Sequence, residues 1–535
     1  MKSRSLQHAQ WQHAKWQRAE WQRVCELDEL LPQTGVCAWL DGRQIAVFRV
    51  DDCVHAIDNY DPASNANVLS RGIVGDIGGE LVVASPLYKH HYSLITGRCL
   101  EDAEHVAVYP ARIAAGSIWV QSEPVRQRRA PGKRKLVVIG NGMAGMRTVE
   151  ELLALAPNTY DITVFGAEPH GNYNRILLSP VLAGEKRVED IVLHPLQWYQ
   201  SNGVTLHADD PVVAIDRRQR VVKSRSGVEV PYDRVLLATG STPIMLPIPG
   251  NELPGVVSFR DLQDVAAMLS AAGQYRKAAV IGGGLLGLEA ANGLLRQGME
   301  VTVVHLVDTL MERQLDSMAA GLLRSSLRTR GIEFRMPVKT TAIIGSERVT
   351  ALQFDDGSTL QTDLVVMAAG IRPNIALARQ SGLRCERGVL VDDTMQTYDP
   401  AIYAVGECVQ HRNSTYGLVA PLWEQARVCA THLAEIGVAR YRGSVVSTQL
   451  KVTGIDVFSA GDFIGNSRSE SLVLRDAKRG VYKRLIIEDN KVRGAVLYGD
   501  TTDGPWYFEL MTEARDVGEL RDKLIFGASF ADTAQ

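Results

Sequence analysis

The pattern of apolar and polar positions changes twice along the chain and divides it into three parts. Over residues 21–122, short apolar or alternating runs lie between turn signals, which predicts a small all-β barrel or sandwich. From residue 135 to about 439, buried strands alternate with helical patterns, as expected of a parallel sheet with crossover helices. Residues 440–535 combine an apparent hairpin around Asp489-Asn490 with a helical pattern over 505–526. The chain is therefore predicted to be multidomain, with an α/β core and a small C-terminal α/β domain.

Two segments lie outside these domains. Residues 1–20 form an extension whose five-residue repeat spaces Trp11, Trp16 and Trp21 equally, which fits neither a helix nor a strand period. An aromatic docking tail and a local duplication of the terminus both stay open. Residues 123–134 combine basic residues with Pro and Gly, which predicts a solvated linker, with docking of an acidic partner as the alternative.

The composition of the chain argues against several classes of protein. Of the 535 residues, 45% are hydrophobic and 22% are charged, which excludes global disorder. The net charge of −3 gives no electrostatic case for nucleic acid or an anionic membrane. Apolar runs fall far short of the ~20 residues that span a bilayer, and residues 1–20 lack the apolar segment of a signal peptide. The seven cysteines are scattered without a C-x-x-C pair, so we expect a reducing cytoplasm and no metal site.

The first glycine-rich turn follows an apolar strand and opens a helical run. In such a turn the first glycine permits a tight bend, the second lets the backbone approach a pyrophosphate, and the third allows close helix–strand packing. An acid after the next strand accepts hydrogen bonds from a ribose diol. The residues predicted to contact this dinucleotide are Gly140, Gly142, Met143, Ala144, Gly145 and Glu168.

A second unit repeats this design 142 residues later. Its predicted nucleotide contacts are Gly282, Gly284, Leu285, Leu286, Gly287 and His305. An acid in place of His305 would favour the free 2′-hydroxyl of NAD, whereas an imidazole tolerates a 2′-phosphate. Alternatively, His305 only caps the strand, so the choice between NADH and NADPH stays open. Two dinucleotide sites in one chain are explained most economically by a bound flavin and a nicotinamide that exchange hydride between stacked rings.

Three further segments carry a family resemblance. The segment 235–243 contains Ala238, Thr239 and Gly240, 402–408 contains Gly406 and Glu407, and 364–373 contains Gly370. With the two glycine turns, they resemble the flavoprotein reductases of the pyridine nucleotide-disulfide oxidoreductase type. The resemblance implies an FAD-binding domain over 135–255 and 365–439, with an NAD(P)-binding domain over 256–364.

The segment 168–185 refines this resemblance. It holds no cysteine where the redox-disulfide branch needs one, so electrons must leave the flavin for another centre. It closely resembles the flavin domain of the assimilatory NAD(P)H nitrite reductase large subunit, as do the segments 310–316, 482–485 and 494–501. This resemblance implies that Arg175 lies beside the flavin ring and that Glu289 faces the nicotinamide. A surface ion pair for Arg175 and a helix N-terminal acid for Glu289 are the alternatives.

The N-terminal domain resembles the small subunit of the same system, which has a Rieske-type fold. The resemblance rests on the segments 31–37, 68–72 and 84–87. A Rieske centre needs the ligand pairs C-x-H and C-x-x-H. The positions that align with these ligands hold Asp61, Ala63, Ser85 and Tyr88. We therefore expect no iron–sulfur cluster, and a structural or docking role for an N-terminal all-β Rieske-like barrel or sandwich.

The resemblance implies an electron-input component in which NAD(P)H reduces FAD and FAD reduces a separate partner. That partner would be a sirohaem and iron–sulfur nitrite reductase subunit or a small iron–sulfur carrier. Three alternatives stay open: a stand-alone NAD(P)H reductase of ferredoxin or rubredoxin, a flavin oxidase, and a non-enzymatic flavoprotein scaffold. A homo-oligomer is also possible.

Overall fold

The structure is a computed structural model that describes residues 21–77, 80–101, 104–125, 133–437, 439–450, 452 and 454–531. The predictions for residues 1–20, with Trp11 and Trp16, and for most of the linker over 123–134 lie outside these ranges. None of the helices in the described part of the chain combines the length and apolarity that crossing a membrane takes.

The N-terminal domain is all-β, as its pattern predicts. Its strands β1 to β12 are Trp21–Glu26, Gly35–Leu40, Arg43–Val50, Cys53–Asp58, Tyr60–Asp61, Ala66–Asn67, Ile73–Ile77, Glu80–Ala84, His91–Ser93, Val108–Tyr109, Ala111–Ala114 and Ser117–Gln121. The sheets β1-β12-β11 and β10-β4-β3-β2 enclose one core around Val47 and Ile118. A second core joins Phe48 of β3 to Val83 and Tyr92 of the sheet β7-β8-β9. Both cores consist only of residues from this domain.

The α/β core contains two large parallel sheets and several smaller ones, and it is built in three stretches of chain. The first stretch has strands β13 to β22 at Arg134–Ile139, Tyr160–Phe165, Asn172–Tyr173, Val192–His194, Val204–His207, Val212–Asp216, Val221–Ser224, Glu229–Pro231, Arg234–Leu237 and Ser241–Pro243, and helices α1 to α3 at Met143–Leu155, Leu178–Leu182 and Leu196–Ser201. The second has strands β23 to β30 at Val256–Ser258, Lys277–Ile281, Glu300–Val304, Glu333–Arg335, Thr340–Gly345, Val349–Phe354, Thr359–Gln361 and Leu364–Met367, and helices α4 to α6 at Leu262–Ala272, Leu285–Arg296 and Ser317–Thr329. The third has strands β31 to β35 at Ile371–Pro373, Val389–Val391, Ile402–Ala404, Val409–His411 and Ser414–Thr415, and helices α7 and α8 at Ala376–Gln380 and Val419–Leu433.

Each half of this core is a five-stranded parallel sheet. The strand orders are β17-β14-β13-β21-β33 and β23-β30-β24-β25-β26. In β13, Leu136 and Val138 enter the core beside α1 and α8, while Val137 and Ile139 enter the core on the opposite face. A strand that is covered on both faces is apolar throughout, which explains its unbroken apolar run. Strand β30 pairs with β23 and β24, so the domain boundary predicted between residues 364 and 365 falls inside a strand of the second sheet.

The C-terminal domain is an antiparallel sheet with helices. Its strands β36 to β40 are Ser447–Gln449, Val457–Gly461, Glu470–Asp476, Val481–Glu488 and Lys491–Tyr498, and its helices α9 to α11 are Gly504–Thr512, Arg521–Leu524 and Ala528–Ala531. Strands β39 and β40 form the predicted hairpin around Asp489-Asn490. The helical pattern over 505–526 is interrupted, because α9 ends at Thr512 and Ala514 adopts the left-handed conformation, with φ 50°.

This domain is joined to the second parallel sheet through Asp316. One oxygen of the Asp316 carboxylate caps α6 by accepting the Ala319 N–H at 2.9 Å. The other accepts the Tyr482 hydroxyl at 2.6 Å and the Arg484 guanidinium at 3.1 Å. The two units also share one hydrophobic core. The segments 310–316 and 482–485, which the sequence marked separately, therefore meet at one interface.

The same β39 strand holds a buried cation inside the C-terminal domain. The Lys483 ammonium lies 2.8 Å from the Asp500 carboxylate and 3.0 Å from that of Asp503. Although burial acts to lower the pKa of Lys483, the two carboxylates raise it above its usual range. Lys483 therefore stays charged and ties β39 to the segment before α9.

Candidate active site

A cavity of about 700 Å³ lies where the two parallel sheets meet the first C-terminal strand. Its wall is formed by residues that follow strands of the first sheet, by part of α5, and by Ser447–Gln449 in β36. Ligands of such sheets bind beyond the carboxyl ends of the strands. Of the predicted site residues, the wall contains Gly140, Gly142, Met143, Ala144, Glu168, Arg175, Ala238, Thr239, Gly240, Leu285, Leu286, Glu289, Gly406 and Glu407. It does not contain Gly145, Gly282, Gly284, Gly287, His305 or Gly370.

The first glycine turn leaves room for a ligand at its second glycine. Gly140 has a φ of 115°, and a side chain there would clash with the carbonyl of Ala238. A Cβ on Gly145 would lie 2.8 Å from the Gly140 carbonyl oxygen. A Cβ on Gly142, by contrast, would meet nothing within 4 Å. Gly142 is the N-cap of α1 and provides no side-chain cap, so the first N–H groups of this helix face the cavity uncovered.

In the second turn, too, the first and third glycines are closely packed and the second leaves open space. Gly282 has a φ of 126° and its Cβ would clash with the Ala368 carbonyl, while a Cβ on Gly287 would clash with the Gly282 carbonyl. A Cβ on Gly284, the N-cap of α5, would meet nothing within 4 Å. Gly370 also has a positive φ of 115°, and its carbonyl accepts the Ile244 N–H at 2.9 Å, beside the link between the two sheets.

Glu168 and Arg175 are in direct contact at one end of the cavity. They form an ion pair, and the Tyr173 hydroxyl donates to the other Glu168 oxygen at 2.6 Å. Burial raises the pKa of Tyr173, so its hydroxyl remains a donor. The Arg175 guanidinium also donates to the Arg260 carbonyl at 3.2 Å. The sequence separated these residues into a ribose contact and a flavin-ring contact, whereas the fold places them in one cluster.

A second ion pair joins Glu407 to Arg260. The Glu407 carboxylate also accepts the Ser241 hydroxyl at 2.8 Å, and both charged side chains are mostly buried. Arg260 was not among the predicted site residues. Its position two residues after the parallel strand β23 was the available signal, because ligands of parallel sheets bind beyond the carboxyl ends of the strands.

Glu289 lies in the first turns of α5, facing the first sheet. The Ser179 hydroxyl of α2 donates to the Glu289 carboxylate at 2.7 Å, and both side chains are buried. The hydrogen bond therefore crosses between the two nucleotide-binding units. Ser179 was also missed by the sequence analysis, because no local pattern distinguishes it from other helix residues.

His305 lies beneath the second glycine turn rather than in the cavity wall. Its Nδ1 accepts the Gly283 N–H at 3.0 Å, and its Nε2 lies 3.1 Å from the Thr309 carbonyl oxygen. The imidazole is buried by these contacts. This geometry corresponds to the capping alternative considered for this residue.

The N-terminal domain has a buried carboxylate, Asp61, at the first position that the sequence aligned with a cluster ligand. Asp61 is fully buried, and its oxygens accept hydrogen bonds from the hydroxyls of Ser64, Ser85 and Tyr92 at 2.7, 2.5 and 2.7 Å. The Ala63 N–H donates to it at 3.1 Å. Burial acts to raise the pKa of Asp61, but the hydroxyl hydrogen bonds outweigh it and hold the pKa below its usual range.

These contacts do not fit an iron–sulfur cluster. The two loops that would supply ligands are joined through Asp61, and Tyr88, at the fourth ligand position, is 66% exposed. Within the described residues, no group of three or more His, Cys, Asp or Glu side chains is arranged to hold a metal ion.

Comparisons with known proteins match three stretches of the chain to three protein families. Residues 20–121 match the Rieske-like [2Fe-2S] domain, 134–432 the pyridine nucleotide-disulphide oxidoreductase family, and 447–515 the rubredoxin NAD+ reductase C-terminal domain. The chain is 50% identical to a nitrite reductase [NAD(P)H] of Bacillus subtilis over 388 residues, 72% of this chain and 48% of the relative. It is 44% identical over 393 residues to the assimilatory nitrate reductase electron transfer subunit of the same organism, covering 74% of this chain and 51% of that protein.

A solved structure supports the fold of the core. A ferredoxin reductase from Rhodopseudomonas palustris superposes with a TM-score of 0.64 at 25% identity, covering 72% of this chain and 100% of that protein. The present chain spans about half the length of the curated relatives it matches. The predicted family is confirmed: the chain belongs to the pyridine nucleotide-disulphide oxidoreductase family. A Rieske-like domain precedes the matching region in the same chain.

Proposed function

We propose that this chain is an FAD-dependent NAD(P)H oxidoreductase and the electron-input component of an assimilatory nitrite-reducing system. The observation that carries the proposal is the pair of glycine turns beside one cavity, each with a second glycine that faces open space. The names of the two Bacillus subtilis relatives support the nitrogen-assimilation context.

The first glycine turn and its surroundings fit FAD. Gly142 leaves the space that a pyrophosphate needs, and the N-terminus of α1 provides N–H groups and the positive end of its dipole. Arg175 and Arg260 are the cations of this wall, and each has a carboxylate partner. Because a guanidinium has five N–H donors, each arginine can bind a phosphate or flavin oxygen while it keeps its carboxylate. When bound, FAD can accept a hydride and then release the two electrons one at a time.

Glu289 and Ser179 form the nicotinamide side of the proposed site. The Ser179 hydroxyl donates to the Glu289 carboxylate and fixes its position in the cavity wall, where a carboxylate suits the amide group of a nicotinamide. Leu285 and Leu286 line the cavity beside it and exclude water from the region where the two rings would stack. These residues orient the nicotinamide and do not themselves carry electrons.

We propose that electrons leave for a separate protein. None of the described residues in the cavity wall is a cysteine, so the wall offers no thiol relay. Nitrite reduction needs a sirohaem centre, which we assign to a partner subunit. The match of residues 447–515 to a rubredoxin reductase C-terminal domain favours a second candidate, reduction of a small iron–sulfur carrier. We place the chain in the cytoplasm, since none of the seven cysteines, all of which the structure describes, is in a disulfide bond.

We propose that the N-terminal domain carries no cluster and serves as a docking module. The support is Asp61, which stands at one aligned ligand position and joins the two ligand loops through hydrogen bonds from Ser64, Ser85 and Tyr92. Iron and acid-labile sulfide determined on the purified chain test this directly. Stoichiometric iron and sulfide would contradict it.

The function is tested by reconstituting the purified chain with FAD and following dye reduction with NADH or NADPH. We expect turnover with at least one nucleotide, and no nitrite consumption until a sirohaem-containing partner is added. Fast turnover with oxygen as the only acceptor would favour a flavin oxidase. FAD binding without any nucleotide-dependent reduction would favour the scaffold alternative, and both results would contradict the proposal.

A further inference from the structure

We infer that Glu312 supplies the ribose-binding carboxylate of the second nucleotide site, and that the chain therefore selects NADH over NADPH. The inference rests on the proposed NAD(P)H oxidoreductase function and names the nucleotide that this function uses. Its basis is the geometry of the segment that follows strand β25.

His305 is unable to contact a ribose or a 2′-phosphate in this geometry. Its Nδ1 accepts the Gly283 N–H, so its proton lies on Nε2, which points to the Thr309 carbonyl oxygen and to the Glu312 carboxylate. The ring is buried, and both nitrogens are used within the protein. The strand-end residue thus supports the turn, and the ribose contact must come from another part of the chain.

Residues 309–312 fold back against the glycine turn. The Met311 N–H donates to the Gly283 carbonyl at 2.9 Å, and Leu310 packs on the same glycine as His305 does. This places Glu312 next to the turn, where its Oε2 lies 3.3 Å from His305 Nε2. The Glu312 side chain is 43% exposed, so part of its carboxylate is held by the imidazole and part is open to a ligand. An acid therefore lies beside the glycine turn although the strand end has none.

The charge of this acid decides between the two nucleotides. A carboxylate accepts hydrogen bonds from the 2′- and 3′-hydroxyls of NADH and repels the 2′-phosphate of NADPH. The other acid of the loop, Asp308, accepts the Thr309 hydroxyl at 2.9 Å. Arg313, an exposed neighbour in sequence, is the cation that would favour a 2′-phosphate. Glu312 has the fixed contact to His305, and this is why we assign the selectivity to it.

The experiment compares wild type with Glu312→Gln, Asp308→Asn and Arg313→Gln in the FAD-loaded chain. We expect wild type to have a kcat/KM for NADH at least about tenfold above that for NADPH, the size of one ribose contact. Glu312→Gln should reduce this preference for NADH about tenfold. The change should come from the KM values for the two nucleotides, with kcat little changed. Asp308→Asn is the matched control in the same loop and should leave the preference unchanged.

Binding without turnover gives an independent measurement. Isothermal titration calorimetry with AMP and with adenosine 2′,5′-bisphosphate probes only the adenosine end of the site. We expect Glu312→Gln to tighten adenosine 2′,5′-bisphosphate relative to AMP by about tenfold. An NADPH preference in wild type that Arg313→Gln removes, or an unchanged preference in Glu312→Gln, would overturn the inference. Absence of dye reduction with either nucleotide would instead contradict the proposed function, and the calorimetry would still decide the role of Glu312.

Discussion

The two glycine turns have the same backbone packing, but the side chains that follow the next strand are placed differently. In both turns the first and third glycines are packed against carbonyl groups, and the second faces open space. After the next strand the units differ, because Glu168 enters the cavity wall while His305 is buried under its own turn. The comparison teaches that the backbone requirements repeat with the motif, whereas the position of the side chain after the next strand does not.

The units also differ in what is attached to them. The second sheet shares a hydrophobic core with the C-terminal domain and is linked to it through Asp316. The same core also includes Leu178 and Leu182 of α2, so both nucleotide-binding units meet the C-terminal domain in it. Asp316 adds a polar link on the side of the second unit.

The largest expected effect comes from filling the open glycine of each turn. Gly142 and Gly284 both have φ values that valine adopts, −85° and −83°, so Gly142→Val and Gly284→Val should fold. We expect Gly142→Val to be purified without FAD, and Gly284→Val to keep FAD but to lose nucleotide turnover by at least about 100-fold. Flavin content and steady-state kinetics measure the two effects.

Gly75→Val is the matched control for this pair. A Cβ on Gly75 also meets nothing within 4 Å, but this glycine lies in the N-terminal domain. Flavin content and kinetics should both stay at wild-type values. If Gly142→Val and Gly284→Val had the same phenotype, the assignment of separate nucleotides to the two turns would be wrong.

Removing the carboxylate of Asp316 should destabilise the second unit. Asp316→Ala removes a helix cap and the acceptor for Tyr482 and Arg484, so we expect a loss of about 3 kcal/mol in the free energy of unfolding. Denaturant unfolding followed by tryptophan fluorescence measures this loss. Asp363→Ala, at a half-buried position where the carboxylate accepts two backbone N–H groups of the same sheet, is a comparison that leaves the domain interface intact. Equal destabilisation by both variants would argue against a special role of the interface.

Glu168→Gln tests the acid of the first unit. The glutamine amide keeps the shape of the side chain but removes its negative charge. This charge pairs with Arg175 and strengthens the hydrogen bond from the Tyr173 hydroxyl. We expect FAD to dissociate about tenfold more readily, with the KM for the nicotinamide nucleotide unchanged. Fluorescence titration of the apoprotein with FAD gives the affinity. A change in nucleotide KM without a change in FAD affinity would show that the units are not separable in this way.

The smallest expected effect belongs to the hydrogen bond between the units. Ser179→Ala removes the donor to Glu289, whereas Ser179→Thr keeps a hydroxyl. We expect Ser179→Ala to raise the KM for the nicotinamide nucleotide by a few-fold, which corresponds to a net hydrogen-bond contribution of about 1 kcal/mol. Ser179→Thr should restore part of the difference. A loss in kcat alone, without any effect on KM, would contradict a positioning role.

Local patterns were sufficient for most of the fold. The hairpin around Asp489-Asn490 and the glycine turns depend on residues that are close in sequence, and their geometry follows from steric limits on the backbone. The helix predicted over 505–526 failed for a non-local reason. The Val517 N–H donates to the Asn490 carbonyl, which draws the chain back to the hairpin after the left-handed Ala514.

The candidate site was harder to predict, because its contacts join distant segments. Arg260 and Glu407 are far apart in sequence, and so are Ser179 and Glu289. No periodicity in either segment specifies the other. His305 lies at the predicted strand end, but only the fold of residues 309–312 determines that its ring turns inward.

The distribution of hydrophobic cores has a consequence for how this protein can be taken apart. The N-terminal domain encloses its own two cores, so we expect it to be a transferable unit. It also contacts the reductase core, where Cys53 forms a backbone bridge with Gly437. The C-terminal domain has no such independence, because Val457 and Val496 complete the same core as Val303 of the nicotinamide unit. Cutting the chain before β36 would leave a water-exposed apolar face, so the shortest stable reductase fragment should begin near residue 133 and keep the C-terminal sheet.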